Sequence, residues 1–417
     1  MNEFFIHQRI ESVWRTESAN IIACITRMVR DIGIAEDLAQ DTLIIALERW
    51  PVSGIPDNPG AWLMTVAKRK AIDLLRRKKR LDQKYEQMAY EMNTNYEPDL
   101  ADEIDEDIDD NLLRLIFMTC HPVLSKNARV ALTLRLLGGL TTEEIANAFL
   151  VPEPTIAQRI VRAKRTLAAA NVPFEVPQKT AYAERLSSVL EVIYLMFNEG
   201  YSATSGENLI RMNLCNEALR MGRVLTNLIP TEPEVHGLVA LMEIQVSRFK
   251  ARTNTEGEMI LLLDQDRSLW DQEHINRGIA SLKKAEDLRG TFGMYALQAS
   301  IATCHAIADT PEKTNWERIA ALYDALSEIS PSPVVELNRA VAISMVYGPM
   351  AGLEIVDSLL LVPTLKNYHL LPSVKGNFLL KLGRKREASE EFRRAASLTQ
   401  NVQEQKFLSK QAKDCMK

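Results

Sequence analysis

The sequence predicts an all-α protein built from several domains. Apolar residues recur at helical spacing along most of the 417-residue chain, and no alternating strand pattern of useful length occurs. Short stretches containing Pro or Gly separate many of the helical segments. With 46% hydrophobic and 25% charged residues, the chain has a globular composition, and its length suits two or three domains.

The first predicted domain covers residues 1–81. Its segment AEDLAQDTLIIALER, at residues 35–49, has an inner side formed by Leu38, Thr42, Ile45 and Ala46. Four polar side chains remain on the outside of this helix, at Asp37, Gln40, Asp41 and Glu48. The turn-forming run PVSGIPDNPG then separates it from a helix that begins near Ala61.

The helix near Ala61 ends in a dense cationic run. Its apolar side is formed by Trp62, Leu63, Val66, Ala67 and Leu74, so we expect the helix to be packed and rigid. The cations are opposed only by Asp73 and comprise Lys68, Arg69, Lys70, Arg76, Arg77, Lys78, Lys79 and Arg80. Such runs are often solvated faces, but a packed helix and a second basic helix later in the chain favour contact with nucleic acid.

Residues 82–111 have the opposite charge. The segment is acidic, contains one lysine, and lacks apolar periodicity at its end, which predicts a flexible linker. A plain solubilising spacer is the simpler interpretation of this composition. Intramolecular shielding of the two basic helices is the alternative.

The most informative segment is residues 141–168, within a second predicted domain at residues 112–170. Thr141 and Glu144 form a capping-box pair that opens a helix, and its apolar face comprises Ile145, Ala146, Phe149 and Leu150. Val151 and Pro152 end that helix, because proline disfavours the α conformation in the preceding residue. Pro154 suits the first turn of a second helix.

The second helix of this pair combines an apolar back with a cationic front. Its inner face comprises Ile156, Ile160, Ala163 and Leu167, and its outer faces carry Gln158, Arg159, Arg162, Lys164 and Arg165. Arg and Gln can bind base edges in a major groove, while Lys and Arg bind phosphates. These residues predict a DNA-binding helix-turn-helix. An ordinary helical hairpin with a solvated basic face is the alternative.

Amphipathic helices continue through a third predicted domain, residues 180–417. Four residues near its end have the spacing of the tetratricopeptide signature: Gly376, Ala388, Phe392 and Ala395. The usual proline is replaced by Gln400. Stacked helix pairs of this kind bury a continuous core and form a concave surface for another protein.

Composition argues against several other classes of protein. The five scattered cysteines form no CxxC pair, so we expect a reducing, cytoplasmic setting. The first residues lack the basic start and apolar run of a signal peptide, and no apolar run is long enough to span a membrane. We find no nucleotide-binding glycine motif and no HExxH helix, and we expect no enzyme activity, cofactor or metal. Cys120 and His121 lack a second ligand pair. The loop carboxylates Asp264, Asp266 and Asp271 are more simply a polar loop than a cation site.

Taken in order, these motifs resemble the bacterial sigma-70-type factors of the extracytoplasmic-function class over residues 10–170. The segment AEDLAQDTLIIALERW resembles the part that binds the clamp helices of RNA polymerase. The segments NPGAWLMTVAKRKAIDLLRRKKR and LTTEEIANAFLVPEPTIAQRIVRAKRTL resemble those that engage the −10 and −35 promoter elements. The long C-terminal extension is similar to a subgroup with tetratricopeptide-like repeats, whereas typical members end soon after the helix-turn-helix.

The resemblance implies two partners, promoter DNA and core RNA polymerase, the latter through its β′ clamp helices and β flap. Polymerase would meet Asp37, Gln40, Asp41 and Glu48. The −10 element would meet the loop 51–60, which would hold a flipped base, together with Trp62, Lys68, Arg69, Arg76 and Arg77. The −35 element would meet Thr155, Gln158, Arg159, Arg162, Lys164 and Arg165. A regulatory motif of the extension would comprise Asp264, Gln265, Asp266, Arg267 and Trp270.

Two other functions fit parts of the sequence. A helix-turn-helix regulator with a sensing tail would need the DNA-binding pair but not the polymerase-binding segment. A tetratricopeptide scaffold could use its basic front end to bind RNA or acidic proteins. If the chain is such a sigma factor, we expect the tail to gate the DNA-binding domains, either by covering them or by recruiting a signalling protein.

Overall fold

The computed structural model describes residues 3–89, 108–149, 151–203, 205–206, 209–288 and 293–416. Over these residues the all-α prediction is confirmed, because eighteen α-helices and one pair of two-residue strands make up the regular structure, apart from single 3-10 turns. The chain divides into two compact units, Met1–Val192 and Ile193–Lys417. No helix within the described ranges is long and apolar enough to cross a membrane.

The N-terminal unit is built around helix α1 (Glu3–Val29), which packs against α2 (Ile32–Ser53), α3 (Pro59–Ala89) and α4 (Ile108–Thr119). Its remaining helices are α5 (Lys126–Leu136), α6 (Thr142–Phe149), α7 (Glu153–Ala169) and the first part of α8 (Lys179–Tyr201). Helix therefore enters the segment expected to be a linker at both ends, since α3 continues to Ala89 and α4 begins at Ile108. The acidic residues 90–107 lie outside the described residues.

Helix α2 begins three residues earlier than its apolar periodicity indicated. Asp31 caps it, and the Asp31 Oδ1 accepts the backbone N–H groups of Gly33 at 2.8 Å and Ile34 at 2.9 Å. Thr42 and Ala46 are fully buried, as the predicted inner side requires. The helix also continues through Pro51 to Ser53, because a proline in the last turn removes only one backbone hydrogen bond.

Helix α8 belongs to the N-terminal unit as far as Val192, although the third predicted domain begins at residue 180. Arg185 donates to the Phe117 carbonyl at 2.7 Å, and Ser188 donates to the Cys120 carbonyl at 2.5 Å. Arg129, which is buried, donates to Ser188 and forms an ion pair with Glu191 at 3.3 Å. These bonds attach the first turns of α8 to the helices that support the helix-turn-helix.

The C-terminal unit is a succession of short helices in which neighbours along the chain pack together. They are α9 (Met212–Leu228), α10 (Pro233–Val246), α11 (Gln272–Asp287), α12 (Met294–Ala306), α13 (Trp316–Ile329), α14 (Pro333–Tyr347), α15 (Pro349–Leu359), α16 (Leu370–Lys381), α17 (Lys385–Leu398) and α18 (Val402–Asp414). The strands β1 (Ser205–Gly206) and β2 (Gln400–Asn401) pair in parallel.

Helices α16 and α17 form the pair that carries the tetratricopeptide spacing. A Cβ atom at Gly376 would lie 3.1 Å from the Phe392 ring, so the glycine lets the two helices approach closely. Ala388, Phe392 and Ala395 are all buried in the same core. Gly383, with φ of +78°, makes the tight turn between the helices. The packing agrees with a tetratricopeptide-like pair at these positions.

Candidate nucleic-acid interface

The capping box of the predicted helix-turn-helix is present at the start of α6. The Thr141 hydroxyl accepts the Glu144 N–H at 3.0 Å, and the Glu144 Oε2 accepts the Thr141 N–H at 2.8 Å. The other Glu144 oxygen accepts a 2.6 Å bond from Arg15 of α1. Although burial raises the pKa of Glu144, the hydrogen bond from Thr141 and the charge of Arg15 hold it below its ordinary value.

Helix α7 has the two faces that the sequence predicts. Its buried residues are the four expected ones, Ile156, Ile160, Ala163 and Leu167. Thr155, Gln158, Arg162 and Arg165 are exposed, while Arg159 is half-buried. The apolar face of α6 is confirmed at Ile145 and Ala146, Phe149 is half-buried, and Leu150 lies outside the described residues. One side of α7 is therefore fixed by packing, and the other presents cations and an amide.

Lys164 differs from its neighbours because it lies against α2. Its ammonium group forms an ion pair with the Glu36 carboxylate, which also accepts bonds from Arg135 of α5 at 2.7 Å and from Gln40 at 2.9 Å. The Glu36 side chain is only 6% exposed, and those of Lys164 and Arg135 are about 20% exposed. We call Glu36, Arg135 and Lys164 the Glu36 cluster. It joins the first predicted domain to the second.

Sequence reasoning missed the Glu36 cluster, although one signal was present. Glu36 lies four residues after Ile32 and three before Ala39, both of which are buried on the inner side of α2. A carboxylate at an inward position requires a charged or hydrogen-bonding partner. The spacing could therefore have indicated a buried ion pair, but it could not identify Arg135 or Lys164.

Helix α3 presents the second cationic surface. Arg69, Arg76, Arg77, Lys78, Lys79 and Arg80 are exposed along it, while Lys68 is half-buried. Lys70 is also half-buried and forms a 2.9 Å ion pair with Asp41 of α2, so Asp73 is not the only acid near this run. On the inner side, Leu63 and Ala67 are buried as predicted, and Val66 and Leu74 are half-buried.

Trp62 stands at the start of α3, beside the loop between α2 and α3. Its ring lies 5.4 Å from the Trp50 ring in an edge-on arrangement, and Trp50 is almost completely buried. The connecting loop spans residues 54–58, which is shorter than the predicted 51–60 because helix extends into both ends. Trp62 is half-buried next to this loop.

The outer face of α2 carries the acids expected to contact polymerase. Asp37, Asp41 and Glu48 are exposed, whereas Gln40 is half-buried by its bond to Glu36. An apolar groove of about 580 Å³ runs beside this face, and its lining includes Trp14, Ile22, Leu43, Ile44 and Leu47. Ile44 is 52% exposed, so α2 presents an apolar strip as well as acids.

Comparison with known proteins decides the family. Residues 15–81 match the family described as Sigma-70 region 2, and residues 114–167 match Sigma-70, region 4. The chain belongs to the sigma-70 factors, and its similarity to relatives named as ECF sigma factors gives the extracytoplasmic-function class. The region 2 match contains α2 and the cationic part of α3, and the region 4 match contains α6 and nearly all of α7.

Relatives of this sigma factor match different shares of the chain. It is 42% identical over 391 residues to an uncharacterized protein of Rhizobium meliloti (strain 1021), and the match covers 94% of this chain and 92% of that one. It is 28% identical over 161 residues to the probable ECF RNA polymerase sigma factor SigI of Mycobacterium tuberculosis, covering 39% and 55% of the two chains. It is 29% identical over 154 residues to the ECF RNA polymerase sigma factor SigK of Mycobacterium sp. (strain KMS), covering 35% and 74%.

The extension of this sigma factor contains a further match, at residues 185–286, to a family of unknown function (DUF6596). The motif at residues 264–270 lies inside it. Asp266 accepts bonds from the Ser268 backbone at 2.9 Å and hydroxyl at 2.7 Å, and Asp271 caps α11. Asp264 is exposed, while Gln265 and Trp270 are buried. Two of the three loop carboxylates are therefore used as local caps.

The other pair noted for metal chemistry, Cys120 and His121, lies at the end of α4. Cys120 is buried, and the His121 Nδ1 accepts the Val123 N–H at 3.0 Å, which closes the turn after the helix. Burial and the nearby charge of Arg185 lower the pKa of His121 to about 4, so its ring is neutral at physiological pH. Cys120 is therefore part of the core, and His121 belongs to a turn.

Proposed function

We propose that this sigma factor binds core RNA polymerase through the outer face of α2 and places α3 and α7 on two promoter elements. The observation that carries the proposal is the order of the matched regions, each of which keeps a cationic helix face exposed. The relatives SigI and SigK are named as RNA polymerase sigma factors. Polymerase would carry out the phosphoryl chemistry, so the chain needs recognition surfaces and no catalytic group.

Helix α7 is suited to read the −35 element. Gln158, Arg159 and Arg162 lie on its outward faces near its first turns, where a recognition helix contacts base edges. Arg binds guanine and Gln binds adenine through paired hydrogen bonds. Thr155 and Arg165 are exposed at the two ends of this surface and are placed to contact phosphates.

Helix α3 is suited to engage the −10 element. Its exposed arginines and lysines form a cationic stripe for the DNA backbone, and Trp62 stands beside the loop that is proposed to receive an unpaired base. Stacking of one base on an aromatic ring contributes about 1–3 kcal/mol, which offsets part of the cost of melting the duplex. Because polymerase holds both DNA-binding regions on one chain, each contact can be weak when measured alone.

We also propose that the C-terminal unit regulates the promoter-binding regions, either by gating them or by binding a signalling protein. The supporting observations are its size and its succession of packed helix pairs, which is an architecture that binds other proteins. The motif of Asp264, Gln265, Asp266, Arg267 and Trp270 is the proposed regulatory element.

Run-off transcription with purified core polymerase tests the central proposal. We expect the full chain to direct a specific transcript from a subset of genomic fragments, and core polymerase alone to produce none. A stoichiometric complex with core polymerase should co-purify. Failure to form that complex, together with tight operator binding by the free chain, would favour a regulator that acts without polymerase.

Substitution of Arg159 should change the sequence preference of α7. We expect Arg159→Ala to cost about 1–3 kcal/mol in promoter binding and to relax discrimination at one base pair. The matched control Arg165→Ala should weaken binding to all sequences and reduce the salt slope by about 1. Binding of the holoenzyme to a −35 variant library measures both effects, and an identical specificity profile for the two variants would remove Arg159 from base readout.

The stability of a truncated N-terminal unit should depend on whether it retains α8. A chain that ends after Gln178 loses the bonds from Arg185 and Ser188 and leaves the buried Arg129 without Ser188 and Glu191. We expect it to be less stable by about 3 kcal/mol or more than a chain that ends after Tyr201, because breaking a buried charge network is costly. Urea unfolding of the two truncated chains measures the difference, and equal midpoints would contradict it.

A further inference from the structure

The C-terminal unit brings together two buried arginines and one half-buried arginine, and none of the three has a carboxylate within ion-pair distance among the described residues. Arg248 and Arg252 are 9% and 8% exposed and follow the end of α10, and Arg267 lies half-buried in the 264–270 motif. No ion pair joins any of the three to a described Asp or Glu. Removing a guanidinium from water is expensive unless an anion compensates its charge.

Two aromatic rings connect these arginines into one cluster. The Arg252 Cζ lies 3.7 Å from the centre of the Tyr201 ring, and the Arg248 Cζ lies 5.8 Å from the same centre. The Trp270 ring is 5.9 Å from the Arg248 Cζ and 5.1 Å from the Arg267 Cζ. Arg248 is therefore the central member. Contact with a ring stabilises a cation but leaves its charge uncancelled.

The hydrogen bonds of the cluster are also made to neutral groups. Arg252 donates to the Tyr201 carbonyl, and Arg248 donates to the Tyr201 hydroxyl at 2.7 Å and to the Gln245 side chain. Arg267 donates to neutral oxygens, those of His305 at 2.8 Å, Ala308, and the Thr314 hydroxyl at 3.2 Å. These bonds orient the guanidinium groups. The charges of Glu404 and Glu312 act on Arg252 and Arg267 from beyond ion-pair distance, so two carboxylates face three guanidinium groups and one positive charge remains.

Several donors around Arg248 have no partner within the described part of the chain. They are buried atoms that can present an N–H group, namely Arg248 Nε, Arg267 Nε, Trp270 Nε1 and His305 Nδ1. One buried acceptor, Gln265 Oε1, is also unpartnered. Burial and the charges of Arg248 and Arg267 lower the pKa of His305 to about 4, so its neutral ring can donate one hydrogen bond.

Other buried charges of the same unit are paired. Glu243, only 2% exposed, accepts bonds from Arg223 at 2.6 Å and His274 at 2.6 Å. Arg211 forms a 2.6 Å ion pair with Glu199, and both side chains are mostly buried. The buried charges of Glu243, Arg211 and Glu199 are thus compensated by partners of opposite charge. The cluster around Arg248 combines excess charge with unused donors, which is the composition of an anion-binding site.

We propose that Arg248, Arg267, Trp270 and His305 bind a small oxyanion, through a phosphate or carboxylate group. The planar guanidinium fork matches the paired oxygens of either group. The burial of Arg248 and Trp270 limits the ligand to a small ion or the end of a small metabolite. Arg248, Arg267 and Trp270 lie within residues 185–286, the match to the family of unknown function. The proposal does not depend on promoter binding.

Calorimetric titration of the full-length protein tests the site. Inorganic phosphate is added at constant ionic strength set with sodium chloride, and sodium acetate is titrated in parallel to distinguish the two sources of an oxyanion. We expect saturable binding of at least one of them. Arg248→Met should weaken that binding about tenfold or more, because it removes charged hydrogen bonds.

Matched variants separate this site from the cationic helices of the promoter-binding regions. Arg384→Met removes an equal charge from an exposed position in the same unit, and Arg76→Gln with Arg77→Gln removes two phosphate-binding candidates from α3. Both should retain the wild-type affinity for the anion. An Arg248→Met variant that binds as well as wild type would overturn the proposal.

The rise in Tm on addition of the anion distinguishes a binding role of Arg248 from a purely structural role, because loss of a structural arginine would leave this rise in place. A bound anion should raise the Tm of the wild type in a saturable manner and leave the Tm of Arg248→Met unaffected. If Arg248→Met does not fold, Arg248→Lys keeps the charge and should still bind less tightly, because lysine lacks the paired donors. Absence of saturable binding of both phosphate and acetate to the wild type would overturn the proposal whatever the variants do.

Discussion

Reversal of charge at Asp37 and Asp41 should abolish assembly of the sigma factor with core polymerase. Both carboxylates are exposed on the outer face of α2, beside the apolar strip that includes Ile44. Like charges placed opposite each other at an interface cost several kcal/mol, so we expect Asp37→Lys with Asp41→Lys to weaken core binding by a factor of about 100 or more. Co-purification and competition with the wild-type chain measure the loss.

The effects of the two substitutions must be distinguished, because Asp41 also forms an ion pair within the fold. Its carboxylate forms the 2.9 Å ion pair with Lys70, whereas Asp37 has no ion pair among the described residues. Asp37→Lys alone is therefore the cleaner test, and it should leave the free energy of unfolding unchanged within about 0.5 kcal/mol.

A control for net charge comes from two exposed acids of the C-terminal unit. Glu273→Lys with Glu390→Lys makes the same change in charge in the other unit, and we expect it to preserve core binding. Normal assembly of both Asp37 variants would show that another surface carries the contact with polymerase.

The local parts of this fold could be predicted because they depend on residues close together in the chain. The Thr141–Glu144 capping box and the buried face of α7 follow from spacings of three and four residues. The order of the motifs added the family, since two regions of known type are separated by an acidic segment. Helical periodicity and short-range hydrogen bonding were sufficient for the capping box and the buried face, whereas the family was predicted from the resemblance of the motifs.

Long-range pairings could not be predicted in the same way. Glu36 binds Arg135 and Lys164, and nothing near any of the three in the sequence specifies the other two. The amphipathic pattern of α8 is continuous, so it gives no sign that the helix packs with the N-terminal unit as far as Val192. The segment SRFKAR gives no sign in the sequence that its arginines are buried, yet tertiary packing buries both Arg248 and Arg252.

Removal of the Glu36 carboxylate should destabilise the N-terminal unit and change how α7 meets DNA. Glu36→Gln leaves the partly buried Arg135 and Lys164 without their acid, and breaking such a pair costs about 3–5 kcal/mol when fully buried. Because both cations are about 20% exposed, we expect a loss of about 2–3 kcal/mol. Urea unfolding measures it, with Glu48→Gln as the exposed control on the same helix.

The expected effect on DNA binding depends on Lys164, which was predicted to contact a phosphate. While it is paired with Glu36, its charge is not available to DNA, so Lys164→Gln should leave the salt slope of duplex binding by the free protein unchanged. In the Glu36→Gln background Lys164 is released, and the same Lys164→Gln substitution should reduce the slope by about 1. This double-mutant cycle isolates the coupling between α2 and α7. An equal reduction in both backgrounds would mean that Lys164 leaves Glu36 whenever DNA binds, and the Glu36 cluster would then hold the two regions together without restricting access to DNA.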